Sequence, residues 1–149
     1  MLISTTPVFF YEDFQQAIPG QWIRCRSGLV WHHGIVIGIE RDYRTNICLL
    51  MVAHAVPLAG VVVTTFQEFS HGQAIEIVAE PWSIEHQQII LSTALSLRDL
   101  AYALFNQNCE HFASYCFNRK AESRQVQSTV LVAGLDAVAA LMIMGSRAA

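Results

Sequence analysis

Asn108-Cys109-Glu110-His111-Phe112 places a thiol at the point where a helix is predicted to begin. Asn108 is a good N-cap and Glu110 falls in the first turn, where the helix dipole favours an acid. Phe112, Tyr115, Cys116 and Arg119 continue at helical spacing. A cysteine in the first helical position meets unpaired N–H groups and the positive end of the dipole. Both favour the thiolate, the nucleophilic form. The same position also suits a cysteine that is no more than a small buried hydrophobe. The choice depends on whether the chain supplies a base to take the thiol proton and a third group to orient that base.

Six histidines are available. His111 lies two residues beyond Cys109, about 200° round a helix, so it is a poor base and a structural hydrogen bond is expected of it. His71 beside Gly72 sits in a turn and His86 in a helical first turn, and both are expected to be solvated. His32, His33 and His54 fall on predicted strands. Adjacent strand residues face opposite sides, so only one of His32 and His33 can serve a given site. A lone strand histidine is more often a satisfied core residue than a catalyst. Pairing the two strands about Tyr43, however, sets His32 directly opposite His54, with Cβ atoms about 5 Å apart. Two imidazoles on one face are costly for stability alone and suit a base and its orienter.

The elements that must position these groups follow from pattern and punctuation. Gln21 to Arg26 alternates Trp22, Arg24 and Arg26 against Ile23 and Cys25, as a half-buried strand does. Val30 to Glu40 is a β-branched second strand, and the polar run Glu40 to Asn46 is its hairpin connection to a third, Ile47 to Val56. Val61 to Thr65 and Ala74 to Val78 are two more, separated by the short amphipathic Phe66-Gln67-Glu68-Phe69. A helix opens near Ile84 behind Pro81 and Ser83, with Ile89, Ile90 and Leu95 assigned to its inner face. Tyr102 to Phe105 is an extended lead into the Cys109 helix. The expected fold class is α+β, an antiparallel sheet of about five strands packed with helices.

The length, 149 residues, suits one domain. A net charge of -3 without a basic face argues against a nucleic-acid partner. The four cysteines match no zinc spacing, and no metal or cofactor is expected. The first residues lack a signal-peptide pattern, so a reducing, cytoplasmic setting with free thiols is the expectation. Hydrophobic residues make up 53% and charged residues 14%, and part of that excess lies in the tail. From Thr129 to Met144 the only charge is Asp136, so residues 128–149 are set apart from a domain at 1–127 as an apolar helix. The run is short of the roughly 20 residues of a spanning helix, and Asp136 would cost about 2.5–3.5 kcal/mol at a bilayer centre. Membrane association and packing on protein both remain open for it.

Three segments resemble the lecithin:retinol acyltransferase-like proteins, the H-box/NC group of the permuted papain-like cysteine hydrolases and acyltransferases. Pro19-Gly20-Gln21-Trp22-Ile23 is similar to the family's opening strand, with Gln21 where Asp is usual. His32-His33-Gly34-Ile35-Val36-Ile37-Gly38 is similar to the H-box, with His33 and Val36 replacing aromatic residues. Asn108 to Phe112 is the full NC motif, Val52-Ala53-His54 falls where the second histidine belongs, and Ser123 to Val126 resembles bacterial members. The resemblance implies a circularly permuted papain-like fold with Cys109 as nucleophile, His32 as base and His54 as orienting member. It also implies acyl transfer or hydrolysis on lipid acyl esters through an acyl-thioester, with a phospholipid or similar ester as substrate and the tail in contact with membrane. A cysteine peptidase or amidase, and a non-catalytic module that keeps the fold, are the alternatives.

Overall fold

The computed structural model describes Val8–Phe9, 17–98 and 108–119. The predicted extended lead at Tyr102–Phe105, the Ser123–Val126 run and the tail helix at 129–144 lie outside the described residues. Nine elements follow in order: β1 (Val8–Phe9), β2 (Trp22–Ser27), β3 (Val30–Asp42), β4 (Ile47–Val56), β5 (Gly60–Thr65), α1 (Phe66–Ser70), β6 (Ile75–Ala79), α2 (Ile84–Ser96) and α3 (Cys109–Asn118). All strand pairs are antiparallel, in the order β1-β6-β2-β3-β4-β5. The α+β class holds, and the two-residue β1 brings the sheet to six strands.

Each face of the sheet buries its own core. Ile35, Ala53, Ala55 and Val61 point to one side, under Ile90 and Ala94 of α2 and Phe112, Ala113, Cys116 and Phe117 of α3. Ile23, Cys25, Val36 and Val52 point to the other, against Phe66 and Phe69 of α1. The odd and even positions of β3 and β4 thus serve opposite layers, as the pleat dictates. On α2 the inner face is His86, Ile90, Thr93 and Ala94, while Ile89 and Leu95 are exposed. That corrects the expected face by about a quarter turn. Small Thr93 and Ala94 let α2 lie close, and His86 is buried rather than solvated. Its Nε2 meets the Phe117 carbonyl at 2.9 Å and its ring stacks on Trp82.

The hairpin joining β3 and β4 carries an irregularity on which the site depends. From Asp42↔Ile47 to Gly38↔Met51 the partners keep one register, and from Val36↔Val52 to Ile35↔Ala53 another, with Ile37 as the additional residue of a β-bulge. Gly38 takes φ +138° beside it, a conformation that side-chain-bearing residues rarely adopt. Continued unchanged, the outer register would set His54 opposite Ile35 and put His32 and His54 on opposite faces. The bulge shifts the register by one, and a one-residue shift reverses faces. His54 thereby falls level with Gly34, on the same face as His32. The expected pairing of His32 directly opposite His54 is therefore corrected to a diagonal one, two residues along the strand. Centring the turn between Arg44 and Thr45 rather than at Tyr43 moves the pairing by three residues, and the bulge takes one back, which leaves two.

Candidate active site

The diagonal His pair is held in contact. His32 Nε2 and His54 Nδ1 are 2.8 Å apart, with the rings nearly perpendicular at 85°. Phe69 of α1 lies against both, its ring 4.9 Å from that of His32 and 5.2 Å from that of His54. Gly34 makes room for it: a Cβ there would lie 2.7 Å from Val52 Cγ1 and 2.8 Å from Phe69 Cε2. His54 continues outward to Thr64 on β5, its Nε2 2.8 Å from Thr64 Oγ1.

The two histidine contacts fix no donor by themselves, and one assignment of the protons satisfies the whole chain. The Thr64 hydroxyl donates to the Thr65 carbonyl at 3.4 Å, leaving its oxygen to accept from His54 Nε2–H. His54 Nδ1 then carries a lone pair and accepts Nε2–H from His32. His32 Nδ1 is left with a lone pair, and among the described residues it has no hydrogen-bond partner. That is the tautomer of a neutral base.

Cys109 arrives from the opposite layer. Asn108 caps α3 as the sequence predicts, its side chain accepting from Glu110 N–H at 2.8 Å. The helix packs on the Ile35 face, whereas the histidines lie on the Phe69 face. The two meet through the seam between β3 and β4, whose ladder ends at Ile35↔Ala53. Even residues of β3 direct their backbone groups to the β2 side, as Val36 does toward Gly20 and Gln21. Odd residues therefore face the open seam. The Cys109 thiol fills that place, accepting from His33 N–H at 3.3 Å and donating to the Trp31 carbonyl at 3.7 Å. Among the described residues neither imidazole is hydrogen-bonded to it. Cys109, His32 and His54 nevertheless line one cavity of about 330 Å³, together with His71, Phe69 and Cys25.

The electrostatics differ from the expectation of a ready thiolate. Burial pushes the Cys109 thiol above its ordinary value of 9.0, outweighing the N–H groups of His33, Cys109 and Glu110 that favour the thiolate, and Glu110's charge adds to the rise. Burial and then the neighbouring His71 push His32 down. His54 is held at about 4, by burial first and then by His32 and His71. The resting site is therefore a neutral thiol beside two neutral imidazoles.

Of the remaining histidines, His33 faces the other layer, where its Nδ1 accepts Trp22 Nε1–H at 2.9 Å and burial holds it at about 4. His111 does not line the cavity. His71 is exposed as predicted, but in the left-handed cap of α1, where it borders the cavity. Gln21 stands where the resemblance leads one to expect Asp. It is buried, accepting Ile18 N–H and donating to Glu80, both at 2.9 Å, which ties the opening turn to the end of β6. Thr64 and Phe69 were not singled out from the sequence. Thr64 shares its strand parity with His54 once the β4–β5 register is known, and nothing short of that register marks it.

A strand-borne histidine pair and a helix-start thiol thus border one cavity in an α+β domain. A family model described as lecithin retinol acyltransferase matches residues 15–122, and the chain belongs to that family. The matched stretch spans every described residue of the site. No curated protein matches the chain. Among the described residues, no helix is long and apolar enough to cross a membrane.

Proposed function

We propose that this protein is a thiol-dependent acyltransferase or acyl hydrolase acting on lipid acyl esters, with Cys109 as nucleophile, His32 as its base and His54 as the group that orients the base. The observation that carries the reading is the convergence of Cys109, His32 and His54 on one cavity, with His32 and His54 2.8 Å apart. In this reading His32 Nδ1 takes the thiol proton as sulfur attacks the ester carbonyl. The Cys109 backbone N–H, at the start of α3, faces the developing oxyanion. The S–C bond forms, the C–O bond to the leaving alkoxide breaks, and His32 returns the proton to that alkoxide. Water, an amine, an alcohol or a lysophospholipid then takes the acyl group from sulfur, restoring the thiol. Since thiol and imidazole both rest neutral, proton transfer belongs to the attack itself, and base catalysis rather than a standing ion pair supplies the nucleophile.

A second reading, a non-catalytic module, is favoured by one observation: the thiol rests on the β3 backbone and not on an imidazole. Incubation with labelled phospholipid followed by intact mass separates the two. The enzyme reading expects an acyl adduct that hydroxylamine removes and that Cys109→Ala and His32→Ala abolish. Absence of any adduct across phospholipid classes, with the fold intact, would sink it. An adduct formed only from amide or peptide substrates would transfer the site to amidase chemistry.

A further inference from the structure

Two hairpin tips stand at the same end of the sheet as Cys109. One joins β2 to β3 through Gly28-Leu29, the other joins β4 to β5 through Pro57-Leu58-Ala59. Their flanking residues Ser27, Val30, Val56 and Pro57 line the cavity, so the tips form its rim. Leu29 is 97% exposed and Leu58 101% exposed, while Val30 is more than half exposed. Leu58 also takes φ +68°, a region that favours Gly or Asn and penalises a bulky side chain. A leucine there gains nothing from burial and adds backbone strain, so neither folding nor turn formation accounts for its type. Strain retained at the edge of a site points to use.

The charge at this end fits one kind of surface. No Asp or Glu lines the cavity, although the chain as a whole is acidic. Arg26 is exposed beside the tip, lying over the Trp31 ring at 4.3 Å and donating to the Leu29 carbonyl at 3.4 Å. A cation and an indole beneath projecting aliphatic side chains match phosphate headgroups above an acyl layer.

We propose that the cavity rim docks on a phospholipid surface, with Leu29 and Leu58 seated at the boundary of headgroups and acyl chains and Arg26 among the phosphates. The lipid identity of the occupant rests on the proposed function; docking itself is measurable without turnover. Docking would set the cavity mouth against the layer from which an ester could enter without crossing water.

The test uses the full chain and vesicles of phosphatidylcholine containing phosphatidylserine. A Leu29→Trp reporter should gain a blue-shifted emission that lipids brominated along their acyl chains quench. Leu58→Asn, a residue suited to φ +68°, should keep or raise thermal stability yet weaken vesicle partitioning, by about tenfold for a leucine that loses its apolar seat. Tyr43→Ser, at the opposite end of the sheet and equally exposed, should leave partitioning unchanged. Lack of quenching of the Leu29→Trp reporter overturns the proposal, even where another part of the chain sediments with vesicles. A lipid-independent dimer that Leu58→Asn dissolves assigns the tips to a second copy and overturns it too. Cys109→Ala should dock normally, and Leu58→Asn should still be acylated by a water-soluble monomeric ester, so failure of docking and failure of the chemistry are seen apart.

Discussion

As the acceptor for His54 Nε2–H, Thr64 would set which nitrogen of His32 carries the lone pair, and Thr64→Val isolates that effect. Valine has nearly the shape of threonine, and Thr64 is only half-buried, so the strand loses little packing. What changes is the acceptor for His54 Nε2–H. His54 is 6% exposed, and a buried donor left unpaired costs about 1–3 kcal/mol. The pair can avoid that cost by moving the proton to His54 Nδ1, which then donates to His32 Nε2. His32 must in turn hold its proton on Nδ1, where the lone pair is needed. A penalty of that size corresponds to a population shift of about 5- to 150-fold. The acylation rate of Cys109 should fall by a factor within that range, with KM little changed. Thr64→Ser, which keeps the oxygen, should restore most of the rate. The structural and tautomeric effects are separated by nitrogen NMR of labelled histidines, which reads the protonated nitrogen directly. Thr64→Val with normal acylation, or with slow acylation and the original His32 tautomer, would refute the reasoning.

Three further outcomes follow from the same geometry. His33 and His54 are each held at about 4 against an ordinary 6.5, so the unfolded chain binds more protons between those values. Stability should be full above pH 6.5 and fall as pH drops toward 4, by up to about 1.4 kcal/mol per pH unit for each group; urea melts should record that slope, and a slope unchanged in His54→Gln would contradict it. The buried thiol predicts iodoacetamide alkylation of Cys109, read by peptide mass, that is still accelerating at pH 9; a plateau near neutrality would mean a resting thiolate instead. Gly34→Ala sets a methyl against Val52 and Phe69, so it should cost about 1–3 kcal/mol in melting experiments and slow acylation by displacing Phe69 from the histidines; wild-type behaviour in both would show that Phe69 does not hold the pair.

The local parts of this site are legible in the sequence because they rest on local physics. Asn108 as cap, Cys109 as first helical residue and the strands carrying His32 and His54 all follow from residue type and spacing. The ends of β4 at Ile47 and Val56 coincide with the polar run before it and Pro57 after it. What fails is whatever depends on summing along the chain. The inner face of α2 is misassigned because Ile89 and Leu95 are more apolar than Thr93 and Ala94, yet close packing on α3 selects the small residues. The thiol's ionisation is misjudged because the helix start is visible in the sequence and burial is not.

The histidine pairing joins both kinds of reading, and it reached the right partners through the wrong register. Residues directly opposite about Tyr43 share a face, and so do residues two positions off, so the estimate tolerated an error of two but not of one. A plain hairpin centred between Arg44 and Thr45 carries that fatal error: it leaves His54 on the α3 face and His32 on the α1 face. Ile37 supplies the missing step, and Gly38 at φ +138° accommodates it. The bulge also lies close to where the β3–β4 ladder stops, four residues after His33, at the seam that Cys109 fills from the other layer. One bulged residue thus turns the second histidine to the first, on a strand whose free backbone edge receives the thiol. Deleting Ile37 would leave Gly38↔Met51 and Val36↔Val52 as consecutive pairs and keep both histidines on one face, whereas a β3 that held Ile37 in regular pairing would separate them by the thickness of the sheet.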